Sequence, residues 1–178
     1  MPGNPTPVPS AVVAHAAVTQ QVLDGLLGQT VTDYCGKYGS VGDTINHCAH
    51  FVSHVLDLRI PGAALCSNVG NSTYTYEERR NGVCVRVNQV YNSCNGRAAF
   101  DAAVTCHTPR IIVATIADNV RGDNPPVVGD HPRKHIGFLL GTNVYHYSNT
   151  RDAVVCQPVG EFASHYGSRT VLYVSDLP

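Results

Sequence analysis

The chain has 178 residues, of which 43% are hydrophobic and 14% are charged, with 12 basic against 13 acidic side chains. This length suits one domain with a sizeable core and is short for two. Balanced charge, without a basic run interleaved with aromatic residues, argues against a nucleic-acid partner. No apolar run approaches the roughly 18 residues that a membrane span needs, so membrane insertion is not expected.

The cysteine content indicates an oxidising compartment. Seven cysteines are many for a cytosolic domain of this size. None of them forms a Cys-x-x-Cys pair, the usual signature of zinc ribbons and thioredoxin-like proteins. The odd number leaves at least one thiol unpaired in a monomer, and the other six allow up to three disulfides. The sequence has no recognisable signal peptide, so we expect either a lost leader or an export route that needs none.

The first part of the chain is predicted to form a tail, a helix and a loop. Residues 1–9 contain four prolines and are predicted to be an extended tail, ahead of one domain at 10–178. A helix is predicted over 11–27, and the glycine-rich segment 33–42 is predicted to be a loop. This loop lacks the Gly-Lys-Ser/Thr sequence of a phosphate-binding loop.

The stretch 46–56 places a cysteine at the first turn of a predicted helix. The helix is indicated by an apolar stripe with spacings of three and four residues, formed by Cys48, Phe51, Val52 and Val55. First-turn N–H groups and the positive end of the helix dipole stabilise a thiolate, so a thiol at this position can be a nucleophile. The alternative is a half-buried structural cysteine or a disulfide partner.

The segment 59–109 has an irregular pattern with several turn signals, and it carries four of the cysteines. We therefore predict a disulfide-stapled insertion here. Short elements are possible at 83–90 and 97–104.

From residue 110 onward, short apolar runs rich in Val and Ile alternate with turn residues, a pattern typical of β-strands. A short helix is predicted near 158–165. Tight connections between four of the strands predict an antiparallel meander. The fold class is therefore predicted to be α+β, with the Cys48 helix packed against a sheet. The predicted strands span 110–117, 135–140, 144–148, 153–157 and 169–174.

Two histidines on neighbouring strands complete a candidate catalytic set with Cys48. His135 opens one strand and His146 lies in the next, and a turn near 141–143 would make the two residues neighbours on one face. Nucleophilic catalysis needs a thiolate, an imidazole that moves its proton, and a third polar group that holds the imidazole. His146 or a nearby polar residue such as Asn149 can be the third group.

Three further histidines, His47, His50 and His54, fall on one face of the Cys48 helix. A helical zinc-hydrolase site requires the motif His-Glu-x-x-His, and the segment from His50 to His54 has no glutamate. No metal and no other cofactor is therefore expected.

These motifs together resemble those of the NlpC-type papain-like peptidases of bacterial cell walls and their CHAP relatives. The resemblance covers roughly 34–58 and 133–174, and it implies a papain-like fold with the triad Cys48, His135 and His146. Tyr38 and Gly39 fall where the family often has an aromatic-Gly-Gly stretch that lines the substrate groove. The segment around Cys48 is also similar to that of the lecithin retinol acyltransferase group, but the order of cysteine before histidine favours the peptidase branch.

The resemblance implies a hydrolase that cleaves the stem peptides of peptidoglycan. Cys48 would attack an amide carbonyl, His135 would act as base and then acid, and His146 would orient His135. An N–H group at Cys48 and a neighbouring donor would hold the oxyanion. Together with the cysteine content, this suggests an antibacterial toxin delivered to the periplasm of a rival cell by a type VI-like system, with a cognate immunity protein as a partner.

Two other function classes remain open. A cysteine acyltransferase, deamidase or protease acting on a protein or lipid would use the same triad. A disulfide-stapled binding module without catalysis would use Cys48 only for packing.

Overall fold

The fold is built around one antiparallel sheet. The structure, a computed structural model, describes residues 17–35, 47–66 and 82–178. The predicted tail at 1–9, the first part of the helix predicted over 11–27, and the candidate groove residues Tyr38 and Gly39 lie outside these ranges.

The described helices are short. The apolar stripe predicted to begin at Cys48 is confirmed as a helix of eight residues that begins at the cysteine itself. Two single 3-10 turns lie at Ala117–Asn119 and Gly167–Arg169. No helix in the described part of the chain is long and apolar enough to cross a membrane. The α-helices are α1 (Gln20–Gly25), α2 (Val31–Tyr34), α3 (Cys48–Val55), α4 (Val87–Ser93) and α5 (Val159–Ala163).

Six strands form the main sheet in the order β1-β8-β2-β5-β6-β7, and every described pair is antiparallel. Two further strands, β3 and β4, form a separate small ladder. The α+β class and the five predicted strands are therefore confirmed, with shifts at their ends. The strands are β1 (Ala98–Ala99), β2 (Cys106–Ile116), β3 (Val120–Arg121), β4 (Val127–Val128), β5 (Lys134–Gly141), β6 (Asn143–Ser148), β7 (Ala153–Pro158) and β8 (Thr170–Ser175).

Each face of the sheet has its own hydrophobic core, because successive side chains of a strand point to opposite faces. On β5, Ile136 and Phe138 belong to the larger core, where Phe51 of α3 meets Phe138 with ring centroids 5.9 Å apart. Leu139 belongs to the smaller core, which is closed by Phe162 of α5. Helix α3 thus covers one face of the sheet and α5 covers the other.

The described part of the segment 59–109 contributes to the larger core. Val90 and Tyr91 of α4 are fully buried there, and an isolated bridge joins Leu65 to Cys84. Short elements are predicted to be possible at 83–90 and 97–104, and the structure has α4, which begins at Val87, and the two-residue strand β1 there.

The predicted disulfides are not found. All seven cysteines lie in the described ranges, and none of them forms a disulfide. Cys106 in the smaller core and Cys156, exposed on β7, lie apart from Cys84 and Cys94 in the larger core, whereas the sulfurs of Cys35 and Cys66 are 4.0 Å apart. A cysteine count reveals neither the face of a sheet nor the depth at which a thiol lies.

Candidate active site

The β5–β6 hairpin brings His135 and His146 together. His135 Nε2 lies 2.8 Å from His146 Nδ1, and the two rings meet edge to face with centroids 4.8 Å apart. Both side chains are almost completely buried, with 2% of each exposed. The hairpin predicted from sequence therefore positions two of the three candidate catalytic residues in direct contact.

Gly137 permits this close approach of the two strands. A Cβ added at position 137 would lie 2.6 Å from the Tyr145 carbonyl oxygen and 2.9 Å from the His146 Cβ. Real Cβ atoms essentially never make contacts this short, so a side chain at 137 would push β6 away. The glycine in the His-Ile-Gly stretch thus has a direct packing role beside the histidine pair.

His165 and Phe162 extend the pair into a four-ring cluster. The exposed His165 stacks on His135 with centroids 4.3 Å apart and an interplanar angle of 12°, and Phe162 lies 5.5 Å from His135. Sequence reasoning missed both residues. Their spacing of three residues on the predicted helix near 158–165 was the available signal, because it places both on one side of that helix.

Burial controls the charge state of the histidine pair. Loss of hydration lowers the pKa of His135 well below the usual value of 6.5, and the neighbouring His146 and His165 lower it further. Burial also lowers the pKa of His146. The His135 Nδ1 atom is buried and has no hydrogen-bond partner among the described residues. Either ring can be the donor in the His135–His146 contact, and His146 Nδ1 also lies 3.2 Å from the Tyr147 carbonyl oxygen, which can only accept. If His135 Nε2 carries the hydrogen, Nδ1 is the ring nitrogen that can accept a proton.

Cys48 lies at the first turn of α3 and is fully buried. Burial raises the pKa of its thiol to about 12, although hydrogen bonds from the backbone N–H groups of Ile136, Ala49 and Cys48 itself favour the thiolate. Ile136 directly follows His135, so the sulfur approaches β5 one residue from the candidate base.

The three candidate residues approach β5 from different sides. Cys48 belongs to the larger core together with Ile136, whereas the rings of His135 and His146 lie with Phe162 on the α5 side. The structure contains the His135–His146 contact, and it contains no hydrogen bond between Cys48 and His135 Nδ1. Proton transfer between Cys48 and His135 stays a prediction.

Asn149, the other candidate for the third residue, contacts the start of α3. Its Oδ1 accepts a hydrogen bond of 3.2 Å from the backbone N–H of His47, the residue before Cys48. Of the two candidates for the third residue, His146 is the one in hydrogen-bond contact with His135.

A second group of possible ligands lies farther along α3 than Cys48. The ligand atoms of Cys35, His50, His54 and Cys66 all lie within 4.8 Å of one another. The expectation of no metal rested on the missing glutamate between His50 and His54. The structure instead brings two thiols to these histidines from other segments of the chain.

Comparisons with family models, with curated proteins and with solved structures found no match to this chain.

Proposed function

We propose that the protein is a cysteine-dependent hydrolase that cleaves amide bonds, with Cys48 as nucleophile, His135 as base and acid, and His146 as the residue that positions His135. The observation that carries the proposal is the 2.8 Å contact between His135 Nε2 and His146 Nδ1, which leaves His135 Nδ1 buried and unpartnered. The Cys48 thiol at the start of α3 contacts the backbone of Ile136, the residue that follows His135.

The chemistry uses each of these groups in turn. The reaction requires the Cys48 sulfur and His135 Nδ1, which approach β5 from different sides in this structure, to come into contact. His135 Nδ1 then takes the proton of the Cys48 thiol as the sulfur attacks the carbonyl carbon, and the carbonyl oxygen becomes an oxyanion. His135 then gives that proton to the leaving nitrogen, the C–N bond breaks, and an S-acyl thioester remains. His135 next deprotonates a water molecule, which attacks the thioester. The acid departs and the thiol regains its proton.

His146 would determine which ring nitrogen of neutral His135 carries the hydrogen. The mechanism requires the tautomer in which His135 Nε2–H donates to His146 Nδ1, in place of a hydrogen bond from His146 Nδ1–H to the Tyr147 carbonyl oxygen. In that tautomer the lone pair of His135 is on Nδ1, where a base is needed. The same hydrogen bond stabilises the imidazolium form after proton transfer. This role corresponds to the orienting group of other catalytic triads.

Backbone N–H groups at the start of α3 are the candidate oxyanion donors. Those of Cys48 and Ala49 face the sulfur, and they are fixed by the helix. Donors held rigidly before the reaction stabilise developing negative charge without reorganisation.

Peptidoglycan stem peptides are the proposed substrate. The support for this assignment is the resemblance of the Cys48 and His135 motifs to NlpC-type and CHAP peptidases. Delivery to the periplasm of a rival cell and a cognate immunity protein belong to the same proposal. A cysteine acyltransferase, deamidase or protease would use the same three residues on a protein or lipid.

One observation favours a second candidate, a domain in which Cys48 has no catalytic role. The thiol is 0% exposed, and burial holds it in the protonated form. A substrate can reach it only after the structure that covers it moves. A thiol with a packing role needs no such movement.

Digestion of purified sacculi separates the two candidates. Wild-type protein should release soluble muropeptides with newly exposed ends, identified by mass spectrometry, and Cys48→Ala should release none. Cys84→Ala is the matched control, because it removes another fully buried thiol that lies outside the proposed triad. Equal release by wild type and Cys48→Ala, or no release by folded wild type, would overturn the proposal.

A further inference from the structure

We propose that Cys35, His50, His54 and Cys66 form a tetrahedral zinc site that holds α3 in place. The cluster is separate from the candidate active site, and the ion would be bound whether or not Cys48 is catalytic. Two thiols and two imidazoles converge with every ligand atom within 4.8 Å of the others. Three of the four residues are buried and His54 is half-buried.

Two separations within the cluster fit a single ion. Zinc bonds of about 2.3 Å to sulfur and about 2.0 to 2.1 Å to nitrogen, at tetrahedral angles, place two sulfurs about 3.8 Å apart and two nitrogens about 3.3 Å apart. In the structure the sulfurs of Cys35 and Cys66 are 4.0 Å apart, and the Nε2 atoms of His50 and His54 are 3.0 Å apart. Movements of a few tenths of an ångström would bring these two pairs to their ideal separations, and the sulfur-to-nitrogen separations, ideally about 3.6 Å, lie within 4.8 Å.

Local structure aims each ligand at the same point. His50 and His54 are four residues apart on α3, so both project from one side of the helix. Cys35 is the residue at the end of α2, and Cys66 lies beside the bridge between Leu65 and Cys84. Three segments that are distant in sequence therefore meet at one buried point.

The surroundings of the ligands are those of a supported metal site. The backbone N–H of Val83 donates a hydrogen bond of 3.4 Å to the Cys66 sulfur, an interaction that stabilises a thiolate ligand. The Tyr34 ring covers the histidines, with centroid distances of 5.4 Å to His54 and 6.0 Å to His50. Backbone and aromatic groups thus orient the ligands from outside the cluster.

Zinc fits this ligand set better than other ions or a disulfide. Two thiolates with two imidazoles in a tetrahedral arrangement favour zinc, whereas calcium and magnesium require oxygen ligands. A disulfide between Cys35 and Cys66 needs an S–S distance of about 2.05 Å, whereas the two sulfurs are 4.0 Å apart. A disulfide also would not explain why His50 and His54 lie beside both sulfurs.

The site is structural because all four tetrahedral positions are filled by the protein. A catalytic zinc ion keeps one position for water or substrate. The proposed ion would join the end of α2, the middle of α3 and the segment at Cys66. The His50 ligand lies two residues after Cys48, so the ion would also fix the start of α3.

The full chain, purified without chelators after expression in zinc-supplemented medium, provides the test. Metal analysis should find one equivalent of zinc, and X-ray absorption should show two sulfur and two nitrogen neighbours. Cobalt substitution should give the visible absorption of a tetrahedral ion together with thiolate-to-cobalt charge transfer. In Cys35→Ser and His54→Asn the affinity for zinc should fall by more than the roughly 10- to 100-fold that loss of an outer-shell partner costs.

Cys84→Ser is the matched control, because it alters a buried cysteine of the same core that lies outside the cluster, and it should retain the metal. Measurements on the wild-type protein keep the test valid even if a ligand variant fails to fold. A zinc-free wild type, a coordination shell other than two sulfurs and two nitrogens, or a native Cys35–Cys66 disulfide detected by mass spectrometry would overturn the assignment.

Discussion

Gly137 and His146 are so close that the backbone of one and the side chain of the other leave no room for a methyl group between them. A Cβ at 137 would come within 2.9 Å of the His146 Cβ. We therefore expect Gly137→Ala to displace β6, break the His135–His146 contact and destabilise the protein by about 1 to 3 kcal/mol, as overpacking of a core does. Urea denaturation and muropeptide release measure the two effects.

Gly160→Ala is the matched control for that prediction. Gly160 lies in α5, where an added Cβ meets nothing within 4 Å. Alanine also has a better helix propensity than glycine. This variant should keep full activity and equal or greater stability, and a similar loss in both glycine variants would contradict the packing argument.

The histidines of the four-ring cluster should differ in importance. His135→Ala removes the proposed base and should abolish hydrolysis, whereas His146→Ala leaves a misaligned base and should reduce kcat by on the order of a hundredfold or more. His107→Ala, at an exposed position of β2, is the control and should have no effect. Steady-state kinetics on a muropeptide would check the order, and full activity of His135→Ala would refute the role of His135.

Stability should fall in mild acid because of the buried histidine pair. The folded-state pKa of His135 lies well below 6.5, while the unfolded chain titrates near 6.5. Below about pH 6.5 the unfolded state therefore binds more protons, and the free energy of unfolding decreases by up to about 1.4 kcal/mol per pH unit for this group.

His135→Phe isolates this effect, because phenylalanine preserves an aromatic ring beside His165 and Phe162 but cannot bind a proton. Urea midpoints of wild type and variant should be compared between pH 7.5 and pH 5. Between pH 7.5 and pH 5 the free energy of unfolding should decrease less in the variant than in wild type, since the remaining titrating groups are common to both proteins. An identical pH dependence would mean that His135 is not buried in its neutral form.

The redox state of the cysteines can be tested directly. In this structure no cysteine forms a disulfide, so a non-chelating reductant should leave the midpoint of thermal unfolding unchanged. Three bridges would instead predict a loss of about 2 to 4 kcal/mol for each bond reduced. Differential alkylation should modify the exposed Cys156 first and the fully buried Cys84 last.

The compartment of action provides a further prediction. If peptidoglycan is the substrate, the protein should be harmless when it is expressed in the cytoplasm of a Gram-negative host and should cause lysis when it carries a periplasmic signal peptide. Cys48→Ala should be harmless in both places. Cytoplasmic toxicity that depends on Cys48, without release of muropeptides, would redirect the triad to a protein or lipid substrate.

Local periodicity predicted much of the fold. The apolar stripe of α3 and the Val- and Ile-rich runs of β2, β5, β6, β7 and β8 carry strong local signals, and the short connection between β5 and β6 predicted the contact of His135 with His146. These features involve residues that are close in sequence, or patterns that repeat within one element.

Features that depend on distant segments were missed. His165 reaches His135 from the turn after α5, and Cys35 and Cys66 reach α3 from either side of it in the chain. The segment from His50 to His54 lacks the glutamate of the helical zinc-hydrolase motif, and local spacing carries no sign that thiols from other segments lie beside these histidines. The disulfides were inferred from a count alone, although the thiols are distributed over both faces of the sheet.

The position of β8 inside the sheet has a consequence for biosynthesis. This strand comes last among the described elements, yet it lies between β1 and β2, and Ile112 and Val113 of β2 pair with Val174 and Tyr173. Until the ribosome has released Thr170–Ser175, β2 has an open edge and β1 has no neighbour in the sheet. The nascent chain therefore cannot complete the main sheet during synthesis of β2 to β7, and the sheet closes only after translation has passed β8.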